Sequence, residues 1–108
     1  MSHLSAHVLD ASAGAPAAGV SVELATVSRE VIATATTNAD GRVGELGPDR
    51  LKPGGYQITF GSGAYYAGHG IDCFYPVVTV VFTVAAGQDH YHVPLLLSPY
   101  SYTTYRGS

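Results

Sequence analysis

The sequence predicts an all-β protein, an antiparallel β-sandwich of seven to eight short strands with one short helix. Apolar and polar residues alternate with a period of two in several segments, which is the spacing of a half-buried strand. Turn residues such as Gly, Pro, Asn and Asp separate these segments at near-regular intervals. Many short strands with turns between them are typical of β-sandwiches.

Three segments of the first half have strand character. Residues 3–9 alternate loosely and end at Asp10, and residues 20–24 alternate apolar with polar side chains. Residues 31–36 add β-branched residues to the same pattern. Residues 11–19 consist of small residues with Gly and Pro, and they predict a loop. Residues 38–42 predict a tight turn, because Asp and Gly tolerate the local hydrogen bonding and positive φ that such turns need.

The middle of the chain predicts a turn, a strand and a helix. The turn at residues 53–55 contains Pro and two glycines and opens an alternating strand over residues 56–60. Residues 63–69 are the one segment in which a short helix is expected.

The last third predicts three strands. Residues 75–84 are strongly β-branched and predict a strand buried on both faces. Residues 85–88 form a link of hairpin length into a strand over residues 89–97. Pro99 ends that strand, and residues 100–105 predict a final short one.

The composition predicts one domain over residues 1–108 and excludes some partners. Charged residues are 12% of the chain, about half the usual share. Part of the surface is therefore expected to be covered by another subunit. The net charge is −3 with only five Lys and Arg residues, which argues against a nucleic-acid partner.

The cysteine count and the hydropathy pattern predict a cytoplasmic protein. Cys73 is the single cysteine and cannot form an internal disulfide. The first basic residue is Arg29, so we expect no secretory signal. No apolar run approaches the ~20 residues of a membrane span, so no membrane partner is expected.

His90 and His92 are the first candidates for chemistry. They lie two residues apart on a predicted strand, so both side chains point to the same face, about 6.6 Å apart along the chain. Three interpretations are open: two surface histidines, a pair of metal ligands, or an acid–base group. A metal site would need further ligands such as His3, His7 or Asp89.

His7, Arg42 and Ser108 each have a plain structural interpretation as well. His7 shares a strand face with Ser5 and Leu9, where a partly buried histidine bonded to a carbonyl is common. Arg42 follows the predicted turn and is either a solvated loop cation or a group that holds an anion or carbonyl. Ser108 has no base at a fixed sequence offset.

The motifs together resemble the transthyretin-like 5-hydroxyisourate hydrolases over essentially the whole chain. The chain ends in Tyr-Arg-Gly-Ser, as the chains of that family do. Transthyretin itself is similar only through Leu-Leu-Ser-Pro-Tyr-Ser-Tyr and lacks the counterpart of His92. The segments that carry the resemblance are Leu4-Ser5-Ala6-His7-Val8-Leu9-Asp10, Gly14-Ala15-Pro16-Ala17, Asp40-Gly41-Arg42, Tyr56-Gln57-Ile58-Thr59-Phe60, Phe74-Tyr75-Pro76 and His90 to Ser108.

This resemblance implies a transthyretin-like (prealbumin-like) sandwich that opens the ring of 5-hydroxyisourate at the N1–C6 bond, in urate breakdown. The product is 2-oxo-4-hydroxy-4-carboxy-5-ureidoimidazoline. It implies an enzyme without metal or other cofactor, assembled as a homotetramer, a dimer of dimers with its sites in a channel between dimers. The alternatives are a carrier of a small aromatic ligand and a metal-binding sandwich that uses His7, His90 and His92.

The family's site residues are carried over by their positions in the motifs. The resemblance implies catalytic roles for His7, Arg42, His92 and Ser108. His90 is interpreted as a neighbouring or structural histidine. Ala6 and Val77 depart from the family's usual residues, and we expect them to affect affinity or packing. Substrate binding is implied for the preceding residues of the C-terminal motif, which are Tyr105, Arg106 and Gly107.

Overall fold

A computed structural model describes residues 2–108 and contains nine strands and one helix within that range. Seven of the strands have four or more residues, and two have two residues. The elements are β1 (Leu4–Asp10), β2 (Ala15–Pro16), β3 (Ser21–Thr26), β4 (Val31–Thr36), β5 (Arg42–Val43), β6 (Gly54–Phe60), α1 (Ser62–Ala67), β7 (Val78–Val84), β8 (Tyr91–Ser98) and β9 (Ser101–Thr104).

The strands form two sheets, as a sandwich requires. The first sheet has the order β2-β1-β8-β9, with β5 also paired to β1, and the second has the order β4-β3-β6-β7. The predicted sandwich is therefore confirmed, but it is not antiparallel throughout. β1 and β8 run parallel, with Leu4 opposite Tyr91 and Asp10 opposite Leu97. Parallel pairing between segments so far apart in the chain leaves no local sequence signal.

A continuous core of apolar side chains lies between the sheets. β1 shows a strict alternation, in which every second residue from Leu4 to Asp10 is buried and the others are half-buried. The half-buried side chains Ser5, His7 and Leu9 share the opposite face, as expected. Burial of each large apolar side chain contributes roughly 1.5–3 kcal/mol to the free energy of unfolding. The largest apolar members of the core are Phe60, Tyr66, Leu4, Leu24, Leu46, Ile58, Leu95 and Leu97.

The prediction of a strand buried on both faces was wrong for residues 75–84. β7 begins at Val78 and alternates between buried and exposed side chains, and Val81 is 65% exposed. The physical reason is that the sandwich has two layers, so each sheet is covered on one face only, and β7 lies at the edge of the second sheet. Within the chain its outer face has no layer above it.

The link after β7 is also not a hairpin. β7 and β8 belong to different sheets, so residues 85–90 cross from one layer of the sandwich to the other. The Ala85 N–H donates to the Tyr91 hydroxyl at 2.8 Å and fastens the crossing to the start of β8.

α1 covers Ser62–Ala67, close to the predicted residues 63–69. Its C-terminal end is tied to the first sheet through Asp10, a buried carboxylate at the end of β1. The hydroxyls of Tyr65 and Tyr66 each donate to that carboxylate at 2.9 Å. The helix therefore closes one end of the sandwich.

The two-residue strands lie in segments predicted as a loop and a turn. β2 pairs with the end of β1, and β5 pairs with its middle, with Ala6 opposite Val43 and His7 opposite Arg42. Strands of two residues are too short to show an alternation of apolar and polar residues in the sequence. β5 matters here because it brings a cation beside a histidine.

Among residues 2–108, no helix has both the length and the apolar character that a membrane span needs.

Candidate active site

The parallel pairing of β1 and β8 brings the N-terminal and C-terminal histidines together. Ser5 is the register partner of His92, and His7 is the partner of Pro94. The imidazole rings of His7 and His92 lie with their centroids 6.4 Å apart and their planes at 36°. Two histidines 85 residues apart in sequence thus share one surface of the first sheet.

The turn at residues 38–42 positions Arg42. The Asn38 side-chain oxygen accepts from the Asp40 and Arg42 amides at 2.9 and 3.0 Å. Gly41 has φ +74°, and a Cβ there would collide with the Val8 carbonyl, so the close approach of the turn to β1 needs glycine. The turn therefore delivers Arg42 directly beside His7.

The C-terminal residues are fastened against His92. The Gly107 N–H donates to the His92 carbonyl at 2.8 Å, and the two residues form an isolated antiparallel bridge. A Cβ on Gly107 would lie 2.6 Å from His92 Cδ2, so the bare glycine backbone packs against the imidazole. Ser108 follows directly.

Three of the four predicted catalytic residues line one cavity of about 270 Å³. They are Arg42, His92 and Ser108, and His7 lies beside this cavity through its contact with His92. Ala6, one of the departures from the family pattern, also lines it, whereas Val77 is elsewhere and 53% exposed. The remaining lining residues are Ser5, Val43, Gly44 and His90.

The predicted binding residues Tyr105 and Arg106 lie on the other side of His92. They line a larger and more apolar cavity of about 440 Å³, formed with residues of β7 and with Tyr91. The Arg106 guanidinium sits 5.0 Å from the centre of the Tyr91 ring, a cation–π contact. His92 lines both cavities and is the residue common to them.

The surroundings of His92 lower its pKa below the ordinary value of 6.5. Burial is the main cause, because it disfavours the charged imidazolium, and the positive charge of Arg42 adds to it. His7 and His90 contribute in the same direction. At neutral pH, His92 is therefore an uncharged imidazole that can accept a proton.

The hydrogen bond of His7 shows which of its ring nitrogens carries a proton. Its Nε2 lies 3.0 Å from the Asp40 carbonyl, and a carbonyl only accepts, so Nε2 carries the proton. In the neutral ring, Nδ1 is then an acceptor.

Within residues 2–108, no three His, Cys, Asp or Glu side chains lie where they could share a metal ion. His90 and His92 do share one face, as predicted, but each directs a ring nitrogen at the Ser5 hydroxyl, at 2.9 and 2.7 Å. The geometry gives the alternative of a metal site no support.

Ser5 is the cavity residue that the sequence analysis did not identify. Its alternation with His7 on one strand face was the available signal. Its contacts with His92 on β8 and with His90, just before β8, depend on the parallel register, which the sequence does not reveal.

Comparisons with known proteins agree on one family. The model of the HIUase/Transthyretin family matches residues 4–107. The 5-hydroxyisourate hydrolase of Pseudomonas aeruginosa is 45% identical, covering 100% of this chain and 93% of that protein. The 5-hydroxyisourate hydrolase of Mus musculus is also 45% identical, covering 99% and 96%.

Solved structures of two kinds share the fold. The 5-hydroxyisourate hydrolase of Klebsiella pneumoniae has a TM-score of 0.90 at 38% identity, covering 97% of this chain and 98% of that one. Sea bream transthyretin in complex with thyroxine has a TM-score of 0.90 at 34% identity, covering 97% and 94%. The fold alone therefore does not distinguish a hydrolase from a protein that only binds a small ligand. The residues that line the cavity have to make that distinction.

Proposed function

The chain belongs to the HIUase/Transthyretin family, and from this premise we propose that it hydrolyses 5-hydroxyisourate in urate degradation. Water opens the ring at the N1–C6 bond and gives 2-oxo-4-hydroxy-4-carboxy-5-ureidoimidazoline. The observation that carries the proposal is the pairing of an uncharged His92 with Arg42 in one cavity. Full-length relatives named 5-hydroxyisourate hydrolase support it.

His92 is the general base in this proposal. Hydrolysis of an amide-like bond needs an activated water, stabilisation of the oxyanion and a proton for the leaving nitrogen. The lowered pKa of His92 supports the first task, because the ring is ready to accept the proton of water as the oxygen attacks C6. The same proton then passes from the imidazolium to N1.

Arg42 stabilises the charge that develops on the C6 oxygen. Its guanidinium is a planar group with donors only, and it lines the same cavity as His92. A cation beside the reacting carbonyl acts most strongly in the transition state, where the oxygen becomes negative.

His7 and Ser108 orient the substrate and the water. His7 keeps Nδ1 as an acceptor for a substrate N–H, since its Nε2–H is engaged by Asp40. The Ser108 hydroxyl can donate to or accept from the attacking water. Arginine and histidine supply the acid–base chemistry and the electrostatics themselves, so the proposal includes no cofactor or metal.

We propose that Tyr105, Arg106 and Gly107 belong to the binding site through His92. Gly107 packs against the imidazole, and Arg106 and Tyr105 flank it from the larger cavity. They would act on the bound heterocycle through their packing around His92, because Tyr105 and Arg106 do not line the cavity that contains Arg42.

A carrier of a small aromatic ligand is the second candidate, because sea bream transthyretin shares the fold. The cavity at His92 disfavours it, since an arginine, two histidines and two serines line a space of about 270 Å³. A hydrophobic ligand would leave these polar groups without partners.

We propose that this single domain assembles as a homotetramer, a dimer of dimers. Exposed apolar side chains at the edge strands support this assembly, namely Val81 on β7, 65% exposed, and Tyr102 on β9, 39% exposed. Light scattering after gel filtration would give about four times the 11.2 kDa chain mass if the proposal holds. A monomer would contradict it.

A cytoplasmic location is proposed as well. It is supported by Cys73, a free thiol of the kind that a reducing compartment preserves. Fractionation of cells that express the chain would test it, and recovery from an oxidising compartment would contradict it.

The experiment that tests the activity follows the ultraviolet absorbance of 5-hydroxyisourate, generated in place from urate by urate oxidase. We expect chelator-treated protein to accelerate its loss well above the spontaneous rate. Loss at the spontaneous rate would favour the carrier, and acceleration that returns only with added metal would favour a metal enzyme.

A further inference from the structure

The Ser5 side chain on β1 bridges two imidazoles at the start of β8. Its Oγ lies 2.7 Å from His92 Nδ1 and 2.9 Å from His90 Nε2. The parallel register makes the first contact direct, because Ser5 and His92 are strand partners. Neither the proposed hydrolysis nor the sequence motifs give Ser5 a role.

The chemistry of a hydroxyl group couples the protons of the two rings. Ser5 has one proton and two lone pairs, so at least one of the two contacts requires a ring N–H that donates to Oγ. When Ser5 donates its proton to one of the rings, two arrangements are possible. In one arrangement, His92 Nδ1–H donates to Ser5, and Ser5 donates to His90 Nε2. In the opposite arrangement, His90 Nε2–H donates to Ser5, and Ser5 donates to His92 Nδ1.

The cavity favours the first arrangement. The first arrangement leaves the neutral His92 with a lone pair on Nε2, whereas the second puts a proton there. The guanidinium of Arg42 lines the same cavity and offers only donors and positive charge. A lone pair on His92 Nε2, the nitrogen that is not bonded to Ser5, is therefore favoured over an N–H at that position.

Packing around His92 opposes a flip of its imidazole ring. The Gly107 backbone lies against the Cδ2 edge of His92, and its amide is bonded to the His92 carbonyl. A 180° flip of the ring would exchange Nδ1 with Cδ2 and lose the contact with Ser5. The nitrogen that a bonded partner leaves available is the one that does chemistry.

We infer that Ser5 is a positioning residue, which holds His92 in the Nδ1–H tautomer by donating its own hydroxyl proton to His90. This inference rests on the proposed function, in which His92 Nε2 accepts the proton of water. It gives His90 a part as the acceptor that fixes the direction of the Ser5 hydroxyl.

The arrangement also suits both charge states of His92. When Nε2 takes up a proton, Nδ1–H continues to donate to Ser5, and Ser5 continues to donate to His90. No hydroxyl has to rotate between the step that accepts the proton and the step that returns it to the leaving nitrogen. Preorganisation of this kind avoids reorganisation at the moment of reaction.

The direct test is the tautomer of His92, read from ¹⁵N–¹H correlation spectra of protein labelled in its histidines. At pH 8 we expect Nδ1 of His92 to show a protonated nitrogen and Nε2 an unprotonated one. In Ser5→Ala we expect a shift towards the Nε2–H form. This readout needs no substrate, so it stands apart from the proposed activity. An Nε2–H form in the unaltered protein would overturn the inference.

Turnover gives the second readout. Ser5→Ala is expected to lower kcat by about 10–100-fold, the usual effect of removing a group that orients a catalytic ligand or base, with little change in KM. Ser5→Thr keeps the hydroxyl and should restore most of kcat. Ser98→Ala is the matched control, a serine on β8 whose hydroxyl bonds to Ser101 and lies outside the cavity at His92.

His90 separates this role from simple packing. His90→Ala removes the acceptor, so Ser5 becomes able to donate to His92 Nδ1, and we expect the same tautomer shift and a similar loss of kcat. The double variant of Ser5→Ala and His90→Ala should lose no more kcat than either single variant, because each of the three variants breaks the same chain of hydrogen bonds. Additive losses, or a loss of kcat without a tautomer shift, would overturn the inference. If the unaltered protein shows no turnover but the expected tautomer, the proposed function fails and the assignment of Ser5 stands.

Discussion

At the scale of single residues, the proposed hydrolysis depends on the charge state of His92. Burial and the neighbouring Arg42 both disfavour the imidazolium, so the ring stays neutral at pH values where an exposed histidine begins to charge. A neutral imidazole is suited to activating water, and the neighbouring guanidinium is suited to stabilising the oxygen that becomes negative.

The pH dependence of turnover follows from the lowered pKa of His92. Since the neutral ring is the active form, kcat/KM should fall as the pH decreases through the pKa of His92. That pKa is lowered, so the acid limb should lie below pH 6.5. Rates measured from pH 5 to 8 would show it. A limb at or above pH 6.5 would contradict the proposed role of the ring.

Gly107 provides a second prediction at this scale. In Gly107→Ala, the new methyl group would lie 2.6 Å from His92 Cδ2 and 3.2 Å from its Cβ, so the imidazole must move. We expect kcat to fall about 10-fold or more while the fold is retained, because small misplacements of a catalytic group are costly.

The control for this change is Gly68→Ala, where the new methyl group would meet only helix carbonyls at 3.5 Å. Steady-state kinetics and circular dichroism of both variants would make the comparison. Unchanged kcat in Gly107→Ala would show that the glycine does not position His92.

At the scale of elements, Asp10 joins β1 to α1. The carboxylate is buried and accepts hydrogen bonds from the Ser12 hydroxyl at 2.7 Å and from the tyrosines of α1. Burial opposes the charge, but these hydrogen bonds outweigh it and lower the pKa of Asp10 below 3.8. Burial and the bond to Asp10 raise the pKa values of Tyr65 and Tyr66 to about 12.

Asp10→Asn should therefore destabilise the protein. We expect the free energy of unfolding to fall by about 2–3 kcal/mol at pH 7, since hydrogen bonds to a charged group are the stronger ones. Because the folded pKa is lowered, the carboxylate contributes above pH 4, and its contribution is lost as the pH falls through that pKa.

Urea unfolding at pH 7 and at pH 3 would measure the difference between the two proteins. The gap should shrink at the lower pH. Asp72→Asn, at an exposed position, is the matched control. A gap that is equal at both pH values would mean that the charge of Asp10 contributes nothing.

Local sequence patterns predicted most elements and the places of the candidate site residues along them. Alternation identified β1, β4 and β6, and the Asp40-Gly41 pair identified the turn that carries Arg42. The parallel pairing of β1 with β8 and the two short ladders were not predictable, because they depend on contacts between distant segments. Ser5 was missed for that reason, since only the pairing brings it to His90 and His92.

The exposure of β7 was mispredicted for a related reason. Its β-branched run is equally compatible with a strand covered on both faces and with an edge strand whose outer face meets another subunit. A single sequence does not distinguish these cases. Val81 is the residue that separates the two cases, since it is exposed in the single chain.

At the scale of the whole molecule, the C-terminal residues connect the site to the edge of the sandwich. Arg106 lies over Tyr91, and Gly107 is bridged to His92, so this segment covers the start of β8. The larger cavity that it borders is formed with β7, the edge strand of the other sheet.

Removal of residues 105–108 should abolish turnover and leave the fold intact. The core of the sandwich includes none of these residues, whereas the cavity at His92 loses Ser108 and the packing of Gly107. Turnover, circular dichroism and the mass in solution of the truncated and complete chains would be compared. Full activity with an unchanged mass would refute a role for this segment in the site.

The proposal that the cavity around His92 hydrolyses 5-hydroxyisourate is tested by a rate measurement combined with an isotope label. The loss of freshly generated 5-hydroxyisourate is followed in ¹⁸O-labelled water with the unaltered protein and with His92→Asn. We expect the unaltered protein to accelerate the loss, with ¹⁸O in the new carboxylate, and His92→Asn to lower turnover at least ~10²-fold. Loss at the spontaneous rate with the unaltered protein, or equal rates for both proteins, would contradict the account.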